Sequence, residues 1–203
     1  MSVELAYLLA LRKLPEVGDV KARRLLQYYG SAEDIFYALQ HKDESINDFI
    51  NQILPAHQYT KYIEDAFIEA EKITALDLDY VSINQSSYPW RLSHCEDAPA
   101  LLFYKGNINW RPKRSIAIVG TRRATNYGLG FCRELVEELK YLDVQIVSGL
   151  AYGIDIQAHK AAIDFGLETI ACLAHGLHTI SPMPHKRYVE DIIGHGGLVT
   201  EFS

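Results

Sequence analysis

Residues 115–130, "SIAIVGTRRATNYGLG", run from a short apolar segment through a glycine and a polar loop into a helical pattern. Ile116 to Val119 suit a buried strand, Gly120 ends it, and Gly128 and Gly130 fall where the helix opens. Strand, glycine turn and helix, in that order, form the unit from which parallel α/β sheets are built. The dinucleotide fingerprint G-x-G-x-x-G has the same order, but here Arg122 and Arg123 stand where it would place small residues. The stretch predicts a strand-to-helix turn that favours an anion and is armed with arginine.

Downstream the alternation repeats: a helix over about 126–140, a strand at 145–148, a helix over 153–165, a strand at 168–173, a helix around 187–193 and a last strand at 198–200. Short strands alternating with helices call for a parallel sheet with right-handed crossovers. Upstream, a short strand in "DYVSINQSS" and a second at Leu101–Tyr104, ended by Gly106 and Asn107, lead into that sheet. The first seventy or so residues read as helical: "VELAYLLALRKL", a helix from Asp19 to Tyr29 stopped by Gly30, a helix capped by Ser31 with Asp34 three residues on, and "YTKYIEDAFIEAEKITALDL". The expected fold is α/β. A Rossmann-like parallel sheet with flanking helices spans residues 73–203, preceded over residues 1–72 by a small all-α domain of helix-hairpin-helix or SAM-like type. Because the sequence stops straight after a strand, the sheet domain is expected to be incomplete at its C-terminus.

With 203 residues, 48% hydrophobic, the chain can bury a sizeable core. No apolar run approaches the roughly 18 residues of a membrane span, and the opening residues lack a cleavage pattern. Three scattered cysteines, Cys95, Cys132 and Cys172, make no disulfide framework, so a reducing cytosol is expected. The net charge of −6 argues against wholesale coating by nucleic acid. Between Trp110 and Arg133, however, Arg111, Lys113, Arg114, Arg122, Arg123 and Arg133 occur with no acidic residue among them. That concentration suits a local anionic ligand.

Three glycine-bearing loops follow predicted strands: "VGTRRATNYG", "SGLAYGID" and "LAHGLHTISP". In a parallel sheet their strand ends share one rim, where ligands bind. Arg122 can fork onto phosphate oxygens beside a helix N-terminus. Ser148 and Gly149 reach the rim in the second loop, while Gly153 and Asp155 open the next helix. For Gly120, Gly149 and Gly153, plain turn geometry competes with ligand contact, and Arg123 is either a second contact or simply solvated. Asp155 reads as a helix cap and His159 as a core histidine. The run Cys172, His175, His178, His185 and His195 lacks the paired spacing of a zinc site, and Ser148 has no base and orienter for nucleophilic catalysis. No metal, cofactor or catalytic residue is expected. Near the N-terminus, "LPEVGDVKARRLL" can present backbone N–H groups with Lys21, Arg23 and Arg24 to a phosphate, or serve only as a packing module.

The segments "IAIVGTRRATNYG", "IVSGLAYGIDIQAHKAAIDFGLETIACLAHGL" and "GGLVTEF", preceded by "YPWRL" and "APALLFYKGN", resemble the DNA-processing protein A (DprA/Smf) family in order and spacing from about Tyr80 onward. The resemblance implies a non-enzymatic, cytoplasmic protein that binds single-stranded DNA, protects incoming strands in natural transformation and loads the RecA recombinase on them, as a homodimer at full length. It matches Arg122 to a loop arginine that grips DNA phosphate, with Ser148, Gly149 and Gly153 shaping the pocket. Gly176-Leu177-His178 and Ser181-Pro182 depart from the family's Gly-Leu-Asp and Tyr-Pro. The family's downstream aromatic and "RNR" segment, on which bases are expected to stack, has no counterpart here. The competing reading is a nucleoside-monophosphate phosphoribohydrolase of the lysine-decarboxylase-like Rossmann class. Its P-G-G-x-G-T-x-x-E motif is represented only by "GGLVTE".

Overall fold

The computed structural model describes residues 2–41 and 59–203. The chain divides into two compact units, Met1–Leu101 and Leu102–Ser203. The division falls later than the change of pattern at residue 72 because the loop before Leu101 is tied to the helices. Asp19 Oδ1 accepts from the Ala100 N–H at 2.8 Å, and Arg23 donates to the carbonyls of Ser93 and Cys95 at 2.8 and 2.9 Å.

In the first unit, helices α1 (Val3–Lys13), α2 (Asp19–Tyr29), α3 (Ala32–Gln40) and α4 (Tyr59–Ala75) precede strand β1 (Asp79–Ser82). The expected helical region includes residues 42–58, which lie outside the described residues. Leu5, Ala6, Leu8, Leu9, Ala10 and Leu11 are all buried, so α1 is wrapped on nearly every side rather than on one apolar face. α2 stops at Gly30, whose φ of 88° suits a residue without a Cβ. α3 starts at Ser31, whose Oγ accepts from the Asp34 N–H at 3.0 Å. The Glu4 carboxylate completes that start by accepting from the N–H groups of Ala32 and Glu33, at 2.9 and 3.2 Å.

The second unit carries β2 (Leu101–Gly106), β3 (Arg114–Ala117), α5 (Asn126–Leu139), β4 (Val144–Ser148), α6 (Ile154–Asp164), β5 (Thr169–Leu173), α7 (Val189–Gly194) and β6 (Gly196–Thr200). A 3-10 segment, Met183–Tyr188, precedes α7. Within this unit the sheet order is β2-β6-β5-β4-β3. β3, β4, β5 and β6 pair in parallel, Ile116 opposite Ile146, Ile146 opposite Thr169, and Ala171 opposite Leu198. β2 is antiparallel to β6, with Phe103 opposite Thr200. A strand that arrives from outside the β-α-β series needs no crossover, so it is free to run the other way.

Four parallel strands in chain order, joined by right-handed crossovers, place their helices on one face. Ile118, Val144 and Ile146 meet Cys132 and Val136 of α5 and Ala158, Ala161 and Ala162 of α6 in one buried cluster. On the same face Ala171, Leu173 and Leu198 meet Val189 and Ile192 of α7. Small alanines along α6 let the helix lie close to the strands, and burial of this apolar surface is the main stabilising term of the unit. Among the described residues no helix is long and apolar enough to cross a membrane.

Candidate nucleic-acid interface

The carboxyl ends of β3, β4 and β5 share a rim, and a cleft of about 310 Å³ opens there, at the small end of the range of ligand clefts. Its walls come from all three loops: Arg122 from the first, Gly149, Ala151 and Tyr152 from the second, and Ala174, His175, Ser181 and Pro182 from the third.

The first loop is positioned by backbone packing. Gly153 has a φ of 79° and lies against the main chain of Thr121 and Arg122, so that any Cβ would collide with the Thr121 carbonyl oxygen. The Ile154 N–H donates to that same oxygen at 3.3 Å. A Cβ on Gly120 would come within 2.6–3.0 Å of the Ile154 side chain. Thr125 then caps α5, its Oγ1 accepting from the Gly128 N–H at 3.2 Å. The first turn of a 14-residue helix thus faces the rim with its positive end. Arg122 and Arg123 are exposed, and among the described residues no carboxylate pairs with either guanidinium. By contrast Arg133, on α5, is held by Asp164.

Not every candidate faces the cleft. Arg122 and Gly149 line it. Ser148 is 3% exposed and donates its hydroxyl proton to the Ile118 carbonyl at 2.6 Å, so it braces β4 against the chain leaving β3. Gly120 and Gly153 set how closely the first two loops approach, and a Cβ on Gly149 would come within 2.7 Å of Asp155 Oδ2. Asp155 is buried in the first turn of α6, where a carboxylate suits the helix dipole. Burial and the nearby Asp155 charge push the Cys132 thiol up, which fits an inert core cysteine.

The third loop is tied by His175. Its Nδ1–H donates to the Gly176 carbonyl at 3.1 Å, and its Nε2 accepts from the Ser181 N–H at 3.3 Å. That arrangement bridges the positions where the sequence departs from the family pattern. His159 is fully buried, its Nδ1–H donating to Thr169 Oγ1 at 2.8 Å, far from solvent. Among the described residues no three His, Cys, Asp or Glu side chains converge as a metal site would require. In the first unit the basic residues of the α1–α2 hairpin are partly committed, since Arg23 is taken up by Ser93 and Cys95.

Tyr152 also lines the cleft, and the sequence carries no signal for it. It stands between an alanine and a glycine, and no periodicity marks it.

A profile of the family described as DNA recombination-mediator protein A matches residues 79–203. The chain is 42% identical to DNA processing protein DprA of Streptococcus pneumoniae over 118 residues, covering 58% of this chain and 41% of that protein. It is 28% identical to Protein Smf of Synechocystis over 203 residues, 98% of this chain and 51% of the other. The chain therefore spans about half the length of these curated relatives. Among solved structures, the X-ray structure of DprA from Streptococcus pneumoniae superposes with a TM-score of 0.73 at 30% identity, covering 99% of this chain and 68% of that one. DprA from Helicobacter pylori, described for its single-stranded DNA binding mode, superposes with a TM-score of 0.54 at 28% identity, covering 62% of this chain and 56% of that one.

Proposed function

This chain belongs to the DNA recombination-mediator protein A family, and from that premise we propose that it binds single-stranded DNA at the three-loop cleft and carries out no chemistry on it. The observation that carries the reading is Arg122. It is an exposed guanidinium without a carboxylate partner among the described residues, set in a nucleotide-sized concavity beside the positive end of α5. Such a site suits one backbone phosphate, because the guanidinium fork and the helix dipole both favour a doubly liganded oxyanion. Arg123 supplies a second, solvent-facing phosphate contact. Gly149 lines the cleft with Arg122, and Gly120, Ser148 and Gly153 shape it from behind. In the whole protein the corresponding activity is protection of incoming DNA and loading of RecA recombinase on it during natural transformation, by a cytoplasmic homodimer.

The test is a salt-titrated binding series. Arg122→Ala, a change at an exposed side chain, is expected to weaken binding to oligonucleotides of every sequence by about tenfold, the order lost with one charge-assisted hydrogen-bond pair. It should also make the salt slope shallower by about 0.7, the value for one phosphate of a single strand. Unchanged affinity in Arg122→Ala would overturn the phosphate assignment. Release of free base from nucleoside monophosphates would favour the phosphoribohydrolase reading instead.

A further inference from the structure

We infer that Tyr152 is the platform on which an unstacked nucleobase rests while the adjoining phosphate sits on Arg122, so that one cleft reads both halves of a nucleotide and selects single over double strands. The inference rests on the proposed binding of single-stranded DNA. It adds a residue and a recognition mode to that reading.

Tyr152 and Arg122 line the same cleft, whose walls also include the small residues Gly149, Ala151 and Ala174. Tyr152 is 46% exposed, so a face of its ring is open to a ligand in the cleft. Its ring is nonetheless held in place. It meets His185 in a T-shaped contact, with centroids 4.9 Å apart and planes at 70°. His185 is itself buried, and its Nδ1–H donates to the Leu150 carbonyl at 2.7 Å. Leu150 adopts a left-handed φ of 59° with its side chain fully buried. That turn aims its carbonyl at His185 and carries the chain on through Ala151 to Tyr152 at the rim. A ring fixed before binding loses little freedom on contact, which favours its use as a stacking surface.

Stacking on an aromatic side chain is tolerant of sequence because every base has a π-face, and it demands a base free of its own helix. A base stacked in a duplex has both faces covered by its neighbours and offers none to a side-chain ring. The phosphate contact alone would accept either form, so the discrimination belongs to Tyr152. This aromatic lies within the β4–α6 loop, before the segment in which the family resemblance places its stacking aromatics.

The experiment compares the 203-residue chain with Tyr152→Ala, Tyr152→Leu and Tyr152→Phe, using a dT12 oligonucleotide, an abasic 12-mer with the same backbone, and a 12-base-pair duplex. Arg122→Ala is the control, and thermal melting reports folding. Tyr152→Ala and Tyr152→Leu are expected to weaken dT12 binding by about 5- to 100-fold, the range for loss of one base–aromatic stack. Tyr152→Phe should stay within about twofold of the parent. None of the three should alter abasic or duplex binding, so the preference for dT12 over duplex falls with the stack. Equal dT12 affinity for the Leu and parent proteins would overturn the inference, as would an equal loss on the abasic strand. If Arg122→Ala still weakens dT12 binding in those cases, the phosphate reading survives alone. Absence of dT12 binding by the parent chain would overturn both.

Discussion

A histidine with only one of its two nitrogens matched is a liability that depends on pH. His159 Nδ1–H is taken by Thr169 Oγ1, which passes its own proton to the Ile146 carbonyl at 3.1 Å, while Nε2 is buried without a partner among the described residues. Burial, reinforced by the charge His185 would carry, lowers its pKa from 6.5 to about 4. The folded imidazole therefore stays neutral where the unfolded one takes a proton. The stability it supports is complete above pH 6.5 and declines as the pH falls toward 4, by about 1.4 kcal/mol per unit and about 3 kcal/mol in all. Urea denaturation at pH 7 and pH 5 should show the parent losing about 2 kcal/mol more than His159→Leu across that interval. Equal losses would mean that the imidazole is protonated inside the fold. The sequence disclosed this residue as a core histidine because alanines flank it on a helical face. Its missing partner was invisible, since that depends on which atoms of β5 and β4 come opposite it. Ser148 illustrates the same limit. A serine at a strand end reads as a rim hydroxyl, and only the register with β3 shows that Ile118 has already claimed it.

At the scale of elements, most of the architecture could be read from periodicity and punctuation. The bounds of α2 and the capping of α3 by Ser31 coincide with the expectation, because glycine stops and hydroxyl caps act locally. β3 is placed two residues earlier than expected, over Arg114–Ala117, since the chain must leave the sheet in time for Thr121 to reach α6. The antiparallel pairing of β2 was not legible, because a single short strand carries no sign of direction. Glycines were the most ambiguous letters. Gly130 sits inside α5 with nothing within 4 Å of an added Cβ, whereas Gly153 holds a φ of 79° against the backbone of Thr121 and Arg122. Gly130→Ala should stabilise the protein by about 0.5–1 kcal/mol through helix propensity. Gly153→Ala should destabilise it by about 2–4 kcal/mol, from an unfavourable φ together with steric overlap. Thermal or urea melts of the two variants check both signs. A neutral Gly153→Ala would show that the two loops are not locked together.

For the second unit as a whole, chain-order pairing of β3 to β6 decides where a ligand can act. All three crossover helices take one face, and on the other face Ala117, Val119 and Cys172 remain exposed, unusual for a parallel sheet. The carboxyl rim is the place where loops, a helix N-terminus and two exposed arginines without a carboxylate partner among the described residues converge. Under the proposed reading, that geometry confines attraction for DNA to a small area of a chain whose net charge is −6. A net negative chain gives a polyanion little general attraction, so on that reading affinity depends on the few phosphates that reach Arg122 and Arg123. Two neutralised phosphates of a single strand give a slope of log K against log salt near −1.4. Titration of dT12 binding between 50 and 200 mM salt is therefore expected to give a slope of about −1 to −2. A slope steeper than about −4 would require roughly six phosphate contacts. The binding surface would then extend well beyond one cleft, and the concentration of cations at the rim would no longer account for it.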